Sequence, residues 1–557
     1  MLAELAESFS QIRLPQTRVR AQLLAAQLLW PMNEKLAAKL GGDAIEGVRE
    51  YLAGVDSTEQ DYYQRYEITM QLRQEVVQAL GPNDPETALS FLRSTRTLTN
   101  PEVGQSWDRE LALEAALANQ IAAKDPKRAA QIAEETLKRG YSAMLIEIVA
   151  RLRASEPELA SQLAKQIAAK LQSEKLLKNQ EAANLSIGLL RLVKSSYRIQ
   201  SSQNPRPPSK ADVPLLSDQE YKDLFDKTLN EALAYKDQAT GSYSPERSSA
   251  QNILTALKPM AAEQPGYSPA SVAAAEKMLA ELQVFPNPES ARRQKYQEKI
   301  NTLSLDESLE EVGRAPKEMR DNLYQQVAHK ALAAGDTARA RQIVTEHVSP
   351  NQRQQVLTNI DQQAIRMAAS NGKIEEALRG ISNLRTPRER AMMLSQIVSQ
   401  IGPGQKRTVA LSLLEQARNL AGTSARAESQ EQMMALLEVA RGFARYDPKR
   451  AFEVVEPLID QFNEMAAAAQ VLNGFGQDFY EEGELAMQNG SSIANFGNQL
   501  IQTLGILATA NFDRAKAGAE RLERPEIRLI AKLAIAQQAI GVDDGRRSGR
   551  RFIGSYR

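Results

Sequence analysis

A spacing of alanine, nine residues, proline, two residues and arginine occurs three times in this chain: Ala340–Pro350–Arg353, Ala377–Pro387–Arg390 and Ala515–Pro525–Arg528. The chain has 24 prolines in 557 residues. Composition alone gives roughly less than one such match, so the spacing reads as an internal repeat. Proline is tolerated in the first turn of a helix and excluded from its interior. Each copy therefore ends one helix and opens the next. A chain of such units stacks helix pairs in one dimension, and its usual product is a surface.

The first copy shows the unit most clearly. Gly335-Asp336 is a turn, and from Thr337 the pattern puts Ala340, Ile343, Val344 and His347 on one helical face. Pro350 stops that helix and starts another, whose stripe is Val356, Leu357, Ile360, Ala364 and Met367. Asn371-Gly372 ends it, glycine being suited to the left-handed residue after a helix. Gly335 to Ala340 and Gly372 to Ala377 keep the same interval, as expected if a small residue is needed where two helices cross. The three arginines sit early in their helices, where their charge opposes the positive end of the helix dipole. Each is expected to bond the carbonyl-rich end of the preceding helix, or a carboxylate on that turn such as Glu346 for Arg353.

The order Gly335-Asp336…Ala340…Pro350 resembles the tetratricopeptide repeat superfamily, in which a Gly-Asp-type turn opens the second helix, an alanine follows, and a proline closes the unit. Residues 315–540 carry the resemblance well and residues 60–175 loosely. The alanine-to-proline interval is shorter than in that family, and its first-helix aromatic positions are not evident. The resemblance implies an all-α fold, an extended α-solenoid of stacked antiparallel helix pairs in a right-handed superhelix. It also implies a scaffold that binds proteins or peptides.

Looser copies follow the same logic. Asp84-Pro85…Ala88, Asp125-Pro126…Ala129, Glu156-Pro157…Ala160 and Asp447-Pro448…Ala451 each give an acidic cap, a proline at the first helical position and a small residue one turn on. Strand signals are almost absent. Residues 1–199 read as an N-terminal helical array and 200–216 as a proline-stiffened linker. Residues 217–300 read as a helical insertion with long polar loops at 237–250 and 264–269, and 301–540 as the C-terminal repeat array. Residues 541–557 form a basic tail, with Gly545 to Phe552 rich in glycine and arginine. Roughly 20 to 25 helices are expected at this length.

Lys+Arg and Asp+Glu balance at 69 each, so bulk charge favours neither nucleic acid nor a basic partner. There is no cysteine, which removes disulfides, thiolate chemistry and cysteine zinc sites. No run is long and apolar enough to span a membrane. The start, Met1-Leu2-Ala3-Glu4, has no basic-then-apolar pattern and reads as an amphipathic helix rather than a signal peptide. The sequence leaves the compartment open: cytoplasmic, or exported if a leader precedes Met1.

The residues that could carry chemistry stand without the partners such chemistry needs. His329 and His347 lack a helical zinc partner, and a structural or surface role is expected for both. Gly402 to Thr408 lacks the interval of a phosphate loop and reads as an inter-helix turn. Glu310–Glu311, Glu375–Glu376 and Glu481–Glu482 read as helix-surface charges. Superhelical glycan-cleaving transglycosylases share such an architecture, but their glutamate in a Glu-Ser-x-Gly-like setting is missing. Trp30 and Trp107 are expected in core packing, and Asn473-Gly474-Phe475-Gly476, with Phe479-Tyr480, as a helix-ending turn. No catalytic, cofactor-binding or metal-binding residue is assigned. The expectation is a non-catalytic scaffold binding a protein or peptide on its concave surface. An assembly subunit working through its ends and edges is the alternative, and an enzyme or nucleic-acid binder comes last.

Overall fold

Proline sets the element boundaries. In the computed structural model, eleven of the 26 helices in the described residues begin on it. The described residues are 1–55, 62–96, 109–200, 213–236, 244–262, 269–282, 288–401, 407–422, 426–488 and 490–541. In chain order the helices are α1 (Leu2–Ser8), α2 (Pro15–Leu29), α3 (Glu34–Ala53), α4 (Tyr62–Leu80), α5 (Pro85–Ser94), α6 (Arg109–Ile121), α7 (Pro126–Arg139), α8 (Leu145–Ser155), α9 (Pro157–Gln172), α10 (Gln180–Gln200), α11 (Asp218–Leu233), α12 (Pro245–Ala262) and α13 (Pro269–Leu282). They continue with α14 (Pro288–Thr302), α15 (Leu305–Gly313), α16 (Lys317–Ala333), α17 (Thr337–His347), α18 (Pro350–Ser370), α19 (Ile374–Ile381), α20 (Pro387–Gln400), α21 (Arg407–Ala421), α22 (Gln430–Tyr446), α23 (Pro448–Leu472), α24 (Ser492–Ala508), α25 (Phe512–Glu520) and α26 (Pro525–Ile540). The fold is an all-α helical repeat in which neighbouring helices pair.

The chain divides into two compact units, one made of residues 1–47 and 292–557, the other of 48–291. These boundaries differ from those suggested by the proline-rich stretch. Residues 1–47 belong with the C-terminal array, and the 217–291 segment belongs with 48–199. Most of the expected linker, 201–212, lies outside the described residues, as do 237–243, 263–268 and the tail. The described end of the linker is anchored: Leu215 and Leu216 are buried, and Ser161 Oγ donates to the carbonyls of Pro214 and Leu215. The polar stretch expected as a loop to residue 250 is already helical from Pro245.

In the first unit the repeat phase is as the spacing requires. Pro350, Pro387 and Pro525 each occupy the first turn of a helix. Ala340, Ala377 and Ala515 are fully buried in the preceding helices. The three arginines turn back over the proline turn. Arg353 Nε and Nη2 donate to the carbonyl of Val348 at 3.1 and 3.0 Å. Arg390 Nε donates to Leu384 O at 2.9 Å, and Arg528 Nε to Leu522 O at 2.8 Å. Glu346 is engaged instead by Gln342 and His347. Two further copies of this clamp escape the spacing rule: Arg18 donates to Ile12 O across Pro15, and Arg320 to Ala315 O across Pro316. In all five the accepting carbonyl belongs to a buried residue, namely Ile12, Ala315, Val348, Leu384 or Leu522.

The even-numbered helices α16 to α26 also pack on one another in succession, and the odd-numbered ones do so far less. Theirs is therefore the closer row. Close approach rests on small residues. Within the row, a Cβ on Gly505 of α24 would stand 3.2 Å from the Ala534 carbonyl oxygen of α26; between the rows, one on Gly442 of α22 would stand 2.4 Å from Leu414 Cδ2 of α21.

The second unit uses a different step. Arg109 pairs with Glu67, and Arg128 pairs with Glu86 through two bonds, each at a separation of 42 residues. Asp84 and Asp125 cap their helices by accepting from Thr87 N and Arg128 N. At its core the fully buried Arg73 makes a two-bond pair with Glu110, at 2.5 and 2.7 Å, and also donates to Thr95 Oγ1 and Leu92 O. A buried charge is tolerable only when its partners are this complete.

The first unit contains one element the pattern did not announce. Tyr480–Glu481 and Glu484–Leu485 pair as a two-stranded hairpin, so Glu481 and Glu482 are not helix-surface charges. Glu482 and Gly483 form the turn with φ of +50° and +81°, both in the left-handed region favoured by tight hairpins. From this hairpin the buried Glu484 accepts from the backbone N–H groups of Arg13 and Leu14 at 2.6 and 3.0 Å. Leu2, Leu5, Phe9 and Ile12 pack with Leu529, Leu533 and Ala536 of α26. The start of the chain thus covers the last helix of the array.

Ala377→Leu overpacks its crossing and costs about 1–3 kcal/mol, while Arg390→Ala strands the Leu384 carbonyl and costs about 1–3 kcal/mol; urea unfolding measures both. Glu526, which accepts from Leu485 N–H, is pushed above the usual 4.5 by burial, with Glu484 adding to the rise and backbone N–H groups and Arg524 opposing it. A raised carboxyl pKa favours the fold at low pH and loses that contribution as pH climbs through the raised value. Glu526→Gln should therefore raise the melting temperature relative to wild type at neutral pH and narrow that advantage near pH 4.5.

Candidate interaction face

The closer row presents a polar stripe. On α22, Glu431, Glu438, Arg441 and Arg445 recur at helical spacing, and Arg388 of α20 reaches Glu431 at 3.7 Å. The four helices α20, α22, α24 and α26 together enclose a hollow of about 520 Å³ lined by Ser395, Ser399, Glu438, Arg441, Arg445 and Thr509, among others.

The two arginines of this hollow differ in availability. Arg441 is a strut between α22 and α24. Its Nε donates to Thr503 Oγ1 at 2.9 Å, its Nη2 to Gln499 O and Oε1 at 3.0 and 2.6 Å, and its Nη1 to Glu438 Oε1 at 2.7 Å. Burial pulls its guanidinium below the ordinary value, with Glu438 pulling the other way. Arg445 is exposed, and its bond to Ser399 O is long, 3.4 Å. Arg445, Ser399, Thr509 and Gln538 are exposed polar groups of the hollow.

Further along the same row, α14 and α16 enclose a second hollow of about 360 Å³ lined by Arg293, Gln297, Asn322, Gln325, Gln326 and His329 together with Met319 and Leu323. His329 therefore lies in a recess rather than on a plain surface. His347 is stacked on Tyr324, with centroids 4.6 Å apart and planes 14° apart. The structure does not bring the two histidines into one cluster. Among the described residues no group of three or more histidine, aspartate or glutamate side chains is placed to hold a metal, and no helix is long and apolar enough to cross a membrane.

The remaining candidates fall as follows. Trp30 packs at the margin of the core formed with α26. Trp107 and the Gly402–Lys406 stretch lie outside the described residues, and Arg407 opens α21, donating to Tyr446 O. Glu311 pairs with Lys299, and Glu376 with Lys373. Asn473 ends α23, its Oδ1 accepting from Phe479 N and Tyr480 N at 2.7 Å each. That turn leaves Phe475 83% exposed beside Val471 at 77%. Nothing in the sequence marks Arg441 and Arg445, because a lone arginine on a helical stripe carries no motif. Only the convergence of four helices makes them neighbours.

No family model and no curated protein matches the chain. Among solved structures it is similar to one described as a circular tandem repeat protein with novel repeat topology and enhanced subunit contact surfaces, at 15% identity, covering 94% of this chain and 98% of that one with a TM-score of 0.22. A likeness at that level carries no functional argument.

The contrast between the arginines is measurable. Arg441→Ala should lower stability by about 1.5–3 kcal/mol, since it removes several charged hydrogen bonds across two helices. Lysine should not restore it, lacking the fork that reaches Thr503, Gln499 and Glu438 together. Arg445→Ala should change the unfolding midpoint little.

Proposed function

We propose that this protein is a non-catalytic helical-repeat scaffold that binds a protein or peptide on the exposed face of the even-numbered row. The supporting observation is the continuity of that face. Six successive helices contribute to it, and two hollows lined by polar side chains open on it. An array curves toward the row whose members approach more closely, so this face is the concave side of such a curve. Preorganised side chains on rigid helices offer a ligand fixed partners at low entropic cost.

A photo-crosslinking residue introduced at Ser399 or at Gln355, both exposed on the row, should capture a partner in the native cell. The same residue at the exposed Glu375 of α19, in the other row, should not. Equal capture at all three positions, or none, would count against the reading.

A second reading has its own support. Val471, Leu472 and Phe475 are exposed together at the end of α23, and exposed large apolar groups mark contact surfaces. An assembly role through this tip predicts concentration-dependent association in sedimentation that Phe475→Ser abolishes.

A further inference from the structure

The face of α16 and α18 has an unusual chemical uniformity. Between Asn351 and Gln363 the helix carries seven amide side chains: Asn351, Gln352, Gln354, Gln355, Asn359, Gln362 and Gln363. Gln352, Gln355, Asn359 and Gln362 follow one another at i, i+3, i+7 and i+10, the spacing of a single helical stripe, and all four are exposed or half-buried. The only charged side chains in the same stretch are spent within the fold, Arg353 on the Val348 carbonyl and Asp361 on Arg341. The stripe joins the next helix of the row through Gln325 Nε2, which donates to Gln352 Oε1 at 2.9 Å. From Gln325 it continues into the second hollow, with Gln297, Asn322 and Gln326.

A primary amide carries one acceptor and two donors. It can therefore pair with the N–H and C=O of one residue of an extended chain, which point to the same side, as a backbone amide does in a sheet; a charged side chain offers only donors or only acceptors. The ten residues from Gln352 to Gln362 rise about 15 Å, the length of four to five residues of extended chain. A phosphate backbone requires a row of cations, whereas the stripe and its hollow have only the exposed Arg293 and, one turn beyond Gln362, the exposed Arg366; an amphipathic helix requires an apolar groove, which the stripe does not provide. Sugar hydroxyls also bond amides, but the only ring lining the adjoining hollow is the small imidazole of His329, with no tryptophan, tyrosine or phenylalanine face on which a sugar could stack.

We propose that the amide stripe of α16 and α18 holds an extended polypeptide segment by its main chain, with little regard for its side-chain sequence or charge. This rests on the protein-binding reading above and names the ligand chemistry at one part of that face.

The probes are two fluorescein-labelled, neutral, unrelated peptides rich in threonine and valine, each also made with alternate main-chain nitrogens methylated. Binding to the full chain is read by fluorescence polarisation at low and high salt. Both parent peptides should bind with similar affinity at either salt, since neutral hydrogen bonds are not screened. Main-chain methylation, and separately the double variant Gln355→Ala with Gln362→Ala, should each weaken binding by about tenfold, the worth of one to two net hydrogen bonds. The melting temperature of the double variant should change little, because Gln355 is exposed and Gln362 half-buried, and neither belongs to the buried core. Equal binding of methylated and parent peptides overturns the proposal, as does strong preference between the two sequences, loss of binding in high salt, or displacement by a linear glucose oligosaccharide. In each of those cases crosslinking from Ser399 still decides the broader reading. Absence of peptide binding together with absence of crosslinks removes both.

Discussion

The C-terminal array depends on a guanidinium folded back across a proline turn. An arginine in the first turn of a helix faces the unfavourable end of the dipole. Here it is turned away from that end toward a carbonyl that the proline-started helix cannot use, since proline has no N–H to offer. The carbonyl belongs in every instance to a buried residue, such as Leu384 or Leu522. One end of the link is therefore pinned in the core and the other to the next helix. The connection is thus fixed at both ends, and the buried alanine at the crossing lets the two helices approach closely.

Much of this architecture could be read directly from the sequence, because it depends on local signals. Proline and an acidic cap define helix starts, and alanine one turn later defines a crossing. These worked at Asp84, Asp125 and Asp447, which all accept the expected backbone bond. The clamp at Arg18 was missed because Leu5 stands where the other copies have alanine, although Pro15 and Arg18 keep their spacing. The hairpin at 480–485 was missed because two residues per strand are too few to alternate, and only the left-handed φ of Glu482 and Gly483 marks it.

The interaction face was less legible than the fold. Helical periodicity separates buried from exposed positions, but it cannot say which exposed stripes of different helices meet. Ser399, Arg445 and Thr509 lie on three helices and share one hollow, an adjacency set by packing and invisible in spacing. The amide richness of residues 351–363 is different. It stands in the sequence as composition, but its meaning depends on knowing that Arg353 and Asp361 are already engaged, which leaves the stripe without free charge.

The least local feature is the docking of the chain's start on its last helix. The exposed end of a helical array is an apolar face that must be covered. On α26 that face includes Leu529 and Leu533, and it is covered by Leu2 and Leu5 of α1, by Phe9 just after α1, and by Ala25 and Leu29 of α2. Burying each such side chain contributes about 1.5–3 kcal/mol, and Glu484 adds two directed bonds across some 470 residues of sequence. Contacts of that range are slow to form, because loop closure precedes any reward. The array from α15 to α26 holds its own local contacts and can assemble first. α1 and α2 then have a surface to dock on. Loss of the first fourteen residues would uncover the part of the α26 face that Leu2, Leu5 and Phe9 cover, while leaving α2 on it and the clamps other than that at Arg18 in place.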